Sequence, residues 1–362
     1  MKLASSLKRT LSQAIHHSPS ADNSQPWKME WHDNILIVHY DTKRVFEKTF
    51  ACNSHATLLA IGAATENLTQ AANALGLTLY WELPEVIDLK TQFYFQVTVN
   101  SGCDSFNLSQ TKHLQLFKRH TNRHPYKAQL LPDDVKAQLI VLTQGSARLV
   151  VITNKAAIAN VSELVRRASE LRFQTQEAHE LLGKSLRFDS HSDSQHGEGL
   201  DVATLALPPG GALFLRLISD WSRMRWFNAF GTYKLLAMID AHPVRTASAL
   251  LAIVGPSTSI LDTISAGQLM NRAWISLNAQ DICVHPYYAV SDQIERRKLG
   301  SIPRKLIEHA DHLHEEARHQ FLLGDGETLH MLLRVGYSAR KPVLSKRVPL
   351  EMVCSGINLN DE

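Results

Sequence analysis

The sequence predicts an α+β protein made of two related halves, and three observations carry that prediction. Stretches with apolar residues at helical steps are interspersed with short runs of β-branched and aromatic residues bounded by turn residues. At 362 residues the chain is long enough for two domains or one large one. A weak repeat also runs through it. LAIGAATENLTQAANALGLTLYW and ISAGQLMNRAWISLNAQDICVHP both show a glycine, an Ala/Leu-rich helical stretch and then a β-run. Gly62 aligns with Gly267, Ala74 with Ala279, Leu77 with Ile282 and Leu79 with Val284, all at an offset of 205 (267 − 62).

Taken in order, Leu7, Leu11, Ala14 and Ile15 recur at three- and four-residue steps and predict a short amphipathic helix. It delivers the chain into SPSADNSQPW (18–27), where Pro19 and Pro26 fix backbone dihedrals around residues that favour turns. Such a loop either presents Ser20, Asn23 and Gln25 together to a polar, planar ligand or is an ordinary capped helix end. Residues 31–40 read as a strand, with a turn over 41–44. Residues 56–77 predict a buried helix stopped by Gly76, its Ala and Gly residues permitting close approach of a second helix. Residues 93–99 alternate as a strand.

In RHTNRHPY (119–126), Arg119 and Arg123 lie four apart with Thr121 between them. Two planar forks and a hydroxyl suit a phosphate; the alternative is a solvated basic turn. A helix follows Leu131-Pro132-Asp133-Asp134, with Asp133 as its N-cap, and 161–182 predicts a charged helix ended by Gly183. Residues 184–211 are polar and hold His191, His196, Gly197, Gly199, Pro208, Pro209, Gly210 and Gly211. A connection this long is either a lid or disordered. A strand is expected over 246–254, a β-run after the second helical stretch of the repeat, and a helix over 304–323. In that helix HADHLHEEARHQ fails the zinc-protease pattern, because Arg318 stands where the second histidine is needed and His319 comes one residue late. No metal site is expected.

Hydrophobic residues at 44% and charged ones at 20% describe a globular protein with a substantial core. A net charge of +3, from 38 basic and 35 acidic residues without long single-sign runs, gives no reason to expect nucleic acid as a partner. Cys52, Cys103, Cys283 and Cys354 lie far apart with no ligand spacing, which predicts reduced thiols in a cytoplasmic protein. No signal-peptide core precedes residue 17 and no run of about 18 apolar residues occurs, so no membrane is expected as a partner.

These motifs carry a resemblance that covers 7–350. SPSADNSQPW is similar to the Pro-Ser, Asn-x-Gln-Pro-Trp pattern of nitroreductase-type flavoproteins, whose loop lies against the isoalloxazine ring of FMN. RHTNRHPY resembles their Arg-x-Ser-x-Arg/Lys segment. That likeness implies that Arg119 and Thr121 hold the FMN phosphate and ribityl and that Arg123 approaches the pyrimidine. MLLRVGY with Ser345, Lys346 and Arg347 is similar to the family's C-terminus, whose basic pair reaches the phosphate. Pro286, Tyr287 and Tyr288 fall in a segment resembling the strand beside the dimethylbenzene and ribityl groups. Tyr288 and Ala289 replace the acidic residue and glycine common there.

In the family the Arg motif precedes the loop; here the order is reversed. With the repeat, this implies two nitroreductase-like halves fused in tandem, 1–118 and 119–362, the second with a lid-like insertion near 184–211. Each half is expected to hold a mainly antiparallel sheet flanked by helices. The arrangement resembles the mycobacterial dormancy-associated nitroreductase-like proteins and implies a monomer imitating a homodimer, with one complete FMN site. Pro19, Ser20, Asn23 and Gln25 would come from the first half, and the remaining residues named above from the second. The implied function is electron transfer from NAD(P)H through FMN to a nitroaromatic or quinone-like acceptor. The alternative is an FMN storage protein whose insertion covers the ring. No Ser/His/Asp or Cys/His constellation occurs, so no side chain is expected as nucleophile; the flavin carries the chemistry.

Overall fold

The computed structural model describes residues 3–45, 50–101, 111, 113–188 and 197–357. His191, His196 and Cys103 lie outside the described residues. Helix α1 (Ser5–His16) buries Leu7, Leu11, Ala14 and Ile15, the stripe its spacing predicts. Strands β1 (Trp27–His32) and β2 (Ile35–Tyr40) form an antiparallel hairpin. The single strand expected over 31–40 is thus interrupted by a turn, where Asp33 takes the left-handed φ of 51° that aspartate tolerates. After α2 (Thr42–Val45) come α3 (His55–Ala74), β3 (Leu77–Glu82) and β4 (Phe93–Ser101). Gly76, at φ 67°, lies just past the end of α3 as expected.

The second sheet draws on α4 (Asp133–Ile140), β5 (Thr143–Gln144) and β6 (Ala147–Ile152). Asp133 is the first helical residue of α4 and not its cap; Pro132 holds the cap position, and the Asp133 carboxylate pairs with Lys136. The helix expected over 161–182 is two, α5 (Lys155–Gln174) and α6 (Gln176–Ser185), broken at the extended backbone of Thr175. Gly183 lies inside α6. The short parallel pair β7 (Leu186–Arg187) and β8 (Leu200–Asp201) follows, then three helices the sequence reading did not assign. These are α7 (Gly211–Ile218), α8 (Trp221–Asn228) and α9 (Thr232–Ala241). The chain continues through β9 (Ala249–Gly255), α10 (Ile260–Ala279), β10 (Cys283–Tyr287), α11 (Ala289–Lys298), α12 (Ile307–Gln320) and β11 (Thr328–Gly336). Helix α13 (Leu350–Val353) and strand β12 (Cys354–Ser355) end it.

The two sheets have matching orders, β12-β1-β2-β4-β3 and β5-β6-β9-β11-β10. Pairing is antiparallel throughout both, except that β12 joins β1 in parallel. The end of the chain therefore returns to the sheet built by its beginning.

Helices α3 and α10 join the two layers. Each has 20 residues, and their first residues stand 205 apart (260 − 55). Ser54 and Ser259 cap them identically, each hydroxyl accepting from the backbone N–H three residues on, Thr57 and Asp262. At the crossing a Cβ on Gly62 would lie 2.2 Å from the Ile264 carbonyl, and one on Gly267 would lie 2.3 Å from that of Leu59. Only glycine allows this approach. Polar ties complete the seam. Asn271 donates to Asn67 Oδ1 at 2.8 Å, Arg272 grips Glu66 with two bonds of 2.8 and 2.9 Å, and Asn67 donates to Ser18 Oγ at 2.9 Å. That last bond fixes the start of the 18–27 loop to the helix pair.

Candidate functional site

The loop is held in a conformation its sequence would not choose unaided. Asp22, Asn23 and Gln25 have φ of 48°, 55° and 48°. The left-handed region suits asparagine and aspartate but not glutamine, and such strain persists only where surroundings over-determine it. They do so here. The Gln25 N–H donates to Ser20 Oγ at 2.9 Å, its Nε2 donates to the Gly197 carbonyl at 3.0 Å, and its Oε1 accepts from the Val348 N–H at 3.1 Å. Asn23 Nδ2 donates to the carbonyls of Gly197 and Lys346, both at 2.9 Å. Ser185 donates to Asp22, and Arg44 ties the Ser24 carbonyl to Asp41 and Glu198. The described parts of 184–211 and the 346–348 segment thus lie directly on the loop.

Beside the loop sits a cluster of cations. Arg119 and Arg347 both donate to the His17 carbonyl, at 3.3 and 3.1 Å, and Arg347 also reaches the Ser18 carbonyl at 2.8 Å. The Arg119 guanidinium lies over the Trp274 ring, 4.7 Å from its centroid. Its Nε is buried with no hydrogen-bond partner among the described residues. Neither arginine is in an ion pair with a carboxylate among those residues. Burial and mutual repulsion pull Arg119 down to about 9, and burial pulls Arg347 down to about 10.

A second group extends this one. Arg123 donates to the Thr204 carbonyl at 3.3 Å. Arg334 stacks on Tyr126 at 3.5 Å and leaves Nε and Nη1 without a partner among the described residues. His285 Nδ1 is likewise orphaned, and burial followed by the Arg123 and Arg334 charges holds its imidazole well below the usual range. Burial raises the Tyr287 phenol, whose hydroxyl donates to the Asp240 carbonyl at 3.2 Å. Unpaired buried cations are costly. A concentration of them, with orphaned donors, is the environment an anion needs.

The remaining sequence candidates divide. Pro19 and Thr121 are half-buried at the edges of the loop and the cation cluster, and Pro286 is half-buried on β10. Ser345 and Lys346 are exposed; of that trio only Arg347 turns inward. Tyr288 faces away toward His55, whose Nδ1 lies 2.9 Å from its hydroxyl. Asn122, not singled out by sequence, anchors the 119–126 segment by donating its N–H to the Val284 carbonyl and its Nδ2 to that of Arg340. His16, Trp274, His285 and Arg334 were also missed. Arg334 had a signal: an arginine in the middle of the apolar strand β11 has to be buried.

His16 and His17 make the site acid-sensitive. Trp27 Nε1 donates to His16 Nδ1 at 3.3 Å, so His16 is neutral with its proton on Nε2, facing the Val348 carbonyl at 2.7 Å. Burial, then the Arg347 charge, lowers His16 to about 4 and His17 to about 3. Both values fall below that of the unfolded chain, which therefore binds more protons in mildly acid solution. Stability should be full above pH 6.5 and fall as pH drops from there to about 4 for His16 and about 3 for His17. Thermal unfolding across pH 8.5 to 4.5 tests this. His16→Phe should make the acid limb shallower while His17 and the other buried imidazoles keep the rest of it, and an unchanged acid limb would place its origin elsewhere.

Among the described residues no group of three or more His, Cys, Asp and Glu side chains could hold a metal, and no helix is long and apolar enough to cross a membrane.

No family model matches the chain, and no curated protein matches it. Among solved structures it is similar to an FMN-bound nitroreductase from Bacteroides fragilis, at 8% identity and a TM-score of 0.36, covering 64% of this chain and 91% of that one. It is also similar to the FMN-dependent nitroreductase NfnB from Mycobacterium smegmatis in complex with NADPH: 14% identity, TM-score 0.35, coverage 67% and 95%. NfnB from Sphigopyxis sp. strain HMH gives 14% identity, a TM-score of 0.36 and coverage of 67% and 96%. These likenesses are too distant to fix residue correspondences.

Proposed function

We propose that the chain is an FMN-binding oxidoreductase of nitroreductase type. The carrying observation is the convergence of Arg119, buried, and Arg347, half-buried, on the His17–Ser18 backbone, neither in an ion pair with a carboxylate among the described residues. A phosphate dianion fits that donor set, and Arg119 Nε supplies an unused donor. FMN, when bound, supplies hydride chemistry between NAD(P)H and a nitroaromatic or quinone-like acceptor. Arg119 and Arg347 would hold the phosphate, Arg123 would lend positive charge near the pyrimidine, and the 18–27 loop would orient the ring.

The matching sheet orders and the shared offset of α3 and α10 favour two related halves fused in tandem, divided near 118. We expect a monomer with one FMN per chain. Two FMN per chain, or a dimer built on α3, would count against this reading.

One observation favours the sequestering alternative. Asn23 and Gln25 already spend their amides on the carbonyls of Gly197 and Lys346, so the ring reaches them only if 197–199 moves. A Cβ on Gly197 would lie 2.0 Å from the Arg347 carbonyl carbon and oxygen, so Gly197→Val must push the insertion away. Anaerobic mixing with NADPH, followed by flavin absorbance, separates the readings. The oxidoreductase should bleach as wild type. The storage protein should bleach only as the Gly197→Val variant, with FMN still bound. A protein that binds no FMN would sink both.

A further inference from the structure

We propose that the layer formed by α7, α8 and α9 is a docking surface for an anionic lipid bilayer. The inference rests on the helices themselves and not on the flavin reading. A soluble helix that packs on one side should be polar on the other. These three are not. On α7, Leu213 and Leu217 are one turn apart and 74% and 42% exposed. Trp226 on α8 and Phe230 just beyond it are 61% and 74% exposed. On α9, Leu235 and Met238 are 53% and 58% exposed, while Ala237 and Ala241 are buried. Helices α7, α8 and α9 pack in series, and α9 packs on α5. The Trp226 ring meets those of Phe227 and Phe230 at centroid distances of 4.9 and 5.0 Å, and Phe227 meets Phe214 of α7. The result is an aromatic and aliphatic surface carried on successive helices, larger in character than the scattered apolar residues of an ordinary surface.

Charge selects the occupant. Between 211 and 246 the chain has five basic residues, Arg216, Arg223, Arg225, Lys234 and Arg245, all exposed. Its two acids are engaged locally. Asp220 caps α8 by accepting from the Arg223 N–H, and Asp240 accepts from the Ser169 hydroxyl. An apolar face with Trp and Phe, a surround of Arg and Lys, and no unengaged carboxylate is the composition of helices that lie in the headgroup region of a membrane. Such helices rest on a bilayer without crossing it, so the absence of a spanning helix among the described residues is no obstacle. The layer also adjoins the candidate site, since Tyr287 donates to the Asp240 carbonyl at the end of α9. Docking would therefore bring that site close to the membrane surface.

The test is co-sedimentation of the full chain with vesicles of phosphatidylcholine alone and of phosphatidylcholine containing about one-third phosphatidylglycerol. The anionic vesicles should bind the protein at least tenfold more strongly, and raising the salt to about 0.5 M should release it. Arg225→Gln and Lys234→Gln should each weaken binding roughly fivefold. The double change Trp226→Ser with Phe230→Ser should abolish it and the accompanying blue shift of tryptophan fluorescence. These side chains are exposed, so the variants should keep the wild-type melting temperature. Equal binding to both vesicles, no binding to either, or variants that bind as wild type would overturn the proposal. So would a lipid-free dimer that the Trp226→Ser, Phe230→Ser variant converts to monomer, which would assign the layer to a second copy of the chain.

Discussion

Arg119→Met is expected to raise the melting temperature of the FMN-free protein while lowering its FMN affinity by about tenfold to a hundredfold. The two effects have opposite signs because they come from the same charge. Without an anion, the Arg119 guanidinium is buried, leaves Nε without a partner among the described residues and is repelled by Arg347. Buried ionic groups replaced by well-packed apolar side chains of similar size commonly gain about 1–4 kcal/mol, and the same sign is expected for this buried charge, which no carboxylate among the described residues offsets. The methionine would keep contact with the Trp274 face that the guanidinium now covers. With FMN, the same residue is expected to donate to the phosphate, and losing a charge-assisted bond costs roughly 1.5–3 kcal/mol. Riboflavin, which lacks the phosphate, should bind the variant about as well as the wild type. Calorimetric titration with both ligands checks this. Equal losses for the two would remove Arg119 from the phosphate site. A lower melting temperature would mean that the bond to the His17 carbonyl outweighs the relief of desolvation.

Gly267→Val should have the largest effect on folding. Its Cβ would overlap the Leu59 carbonyl at 2.3 Å and press on Gly62 Cα at 3.0 Å, and both contacts are backbone that cannot rotate away. Helices α3 and α10 would have to part, weakening the Asn67–Asn271 and Glu66–Arg272 bonds together with the apolar seam. A loss above about 4 kcal/mol follows, lowering the melting temperature by roughly 8–16 °C or preventing folding altogether. Gly76→Ala is the control. Gly76 has φ 67° but nothing within 4 Å of an added Cβ, so only backbone strain of about 1 kcal/mol is expected. Similar melting temperatures for the two variants would show that the helix pair is not the spine of the protein.

The motifs most legible in the sequence were those fixed by local chemistry. The stripe in α1, the glycine after α3, the failed histidine spacing in α12 and the 205-residue repeat could be read because each depends on neighbours a few residues away or on direct self-comparison. Gly62 and Gly267 occupy the crossing of two helices with the same length and the same serine cap. Arg119 and Arg347 also stood out as basic residues in suggestive company.

What the sequence could not state was where those side chains would spend their hydrogen bonds. Asn23 and Gln25 looked like free donors in a turn; folding gives their amides to carbonyls of Gly197 and Lys346, more than 170 positions away. The sequence could show that 119–126 was basic, but only burial against Trp274 and beside Arg347 turned Arg119 into a charge without a counter-ion among the described residues. The helices α7 to α9 escaped a periodicity reading for a related reason. Which of their apolar residues stay exposed depends on what packs beneath. Spacing alone determined the helix stripes and marked the glycines and the basic segment as candidates for a close helix contact and an anion site. Desolvation and long-range pairing depend on residues far apart in the chain, and those were decided only when the tertiary structure brought them together.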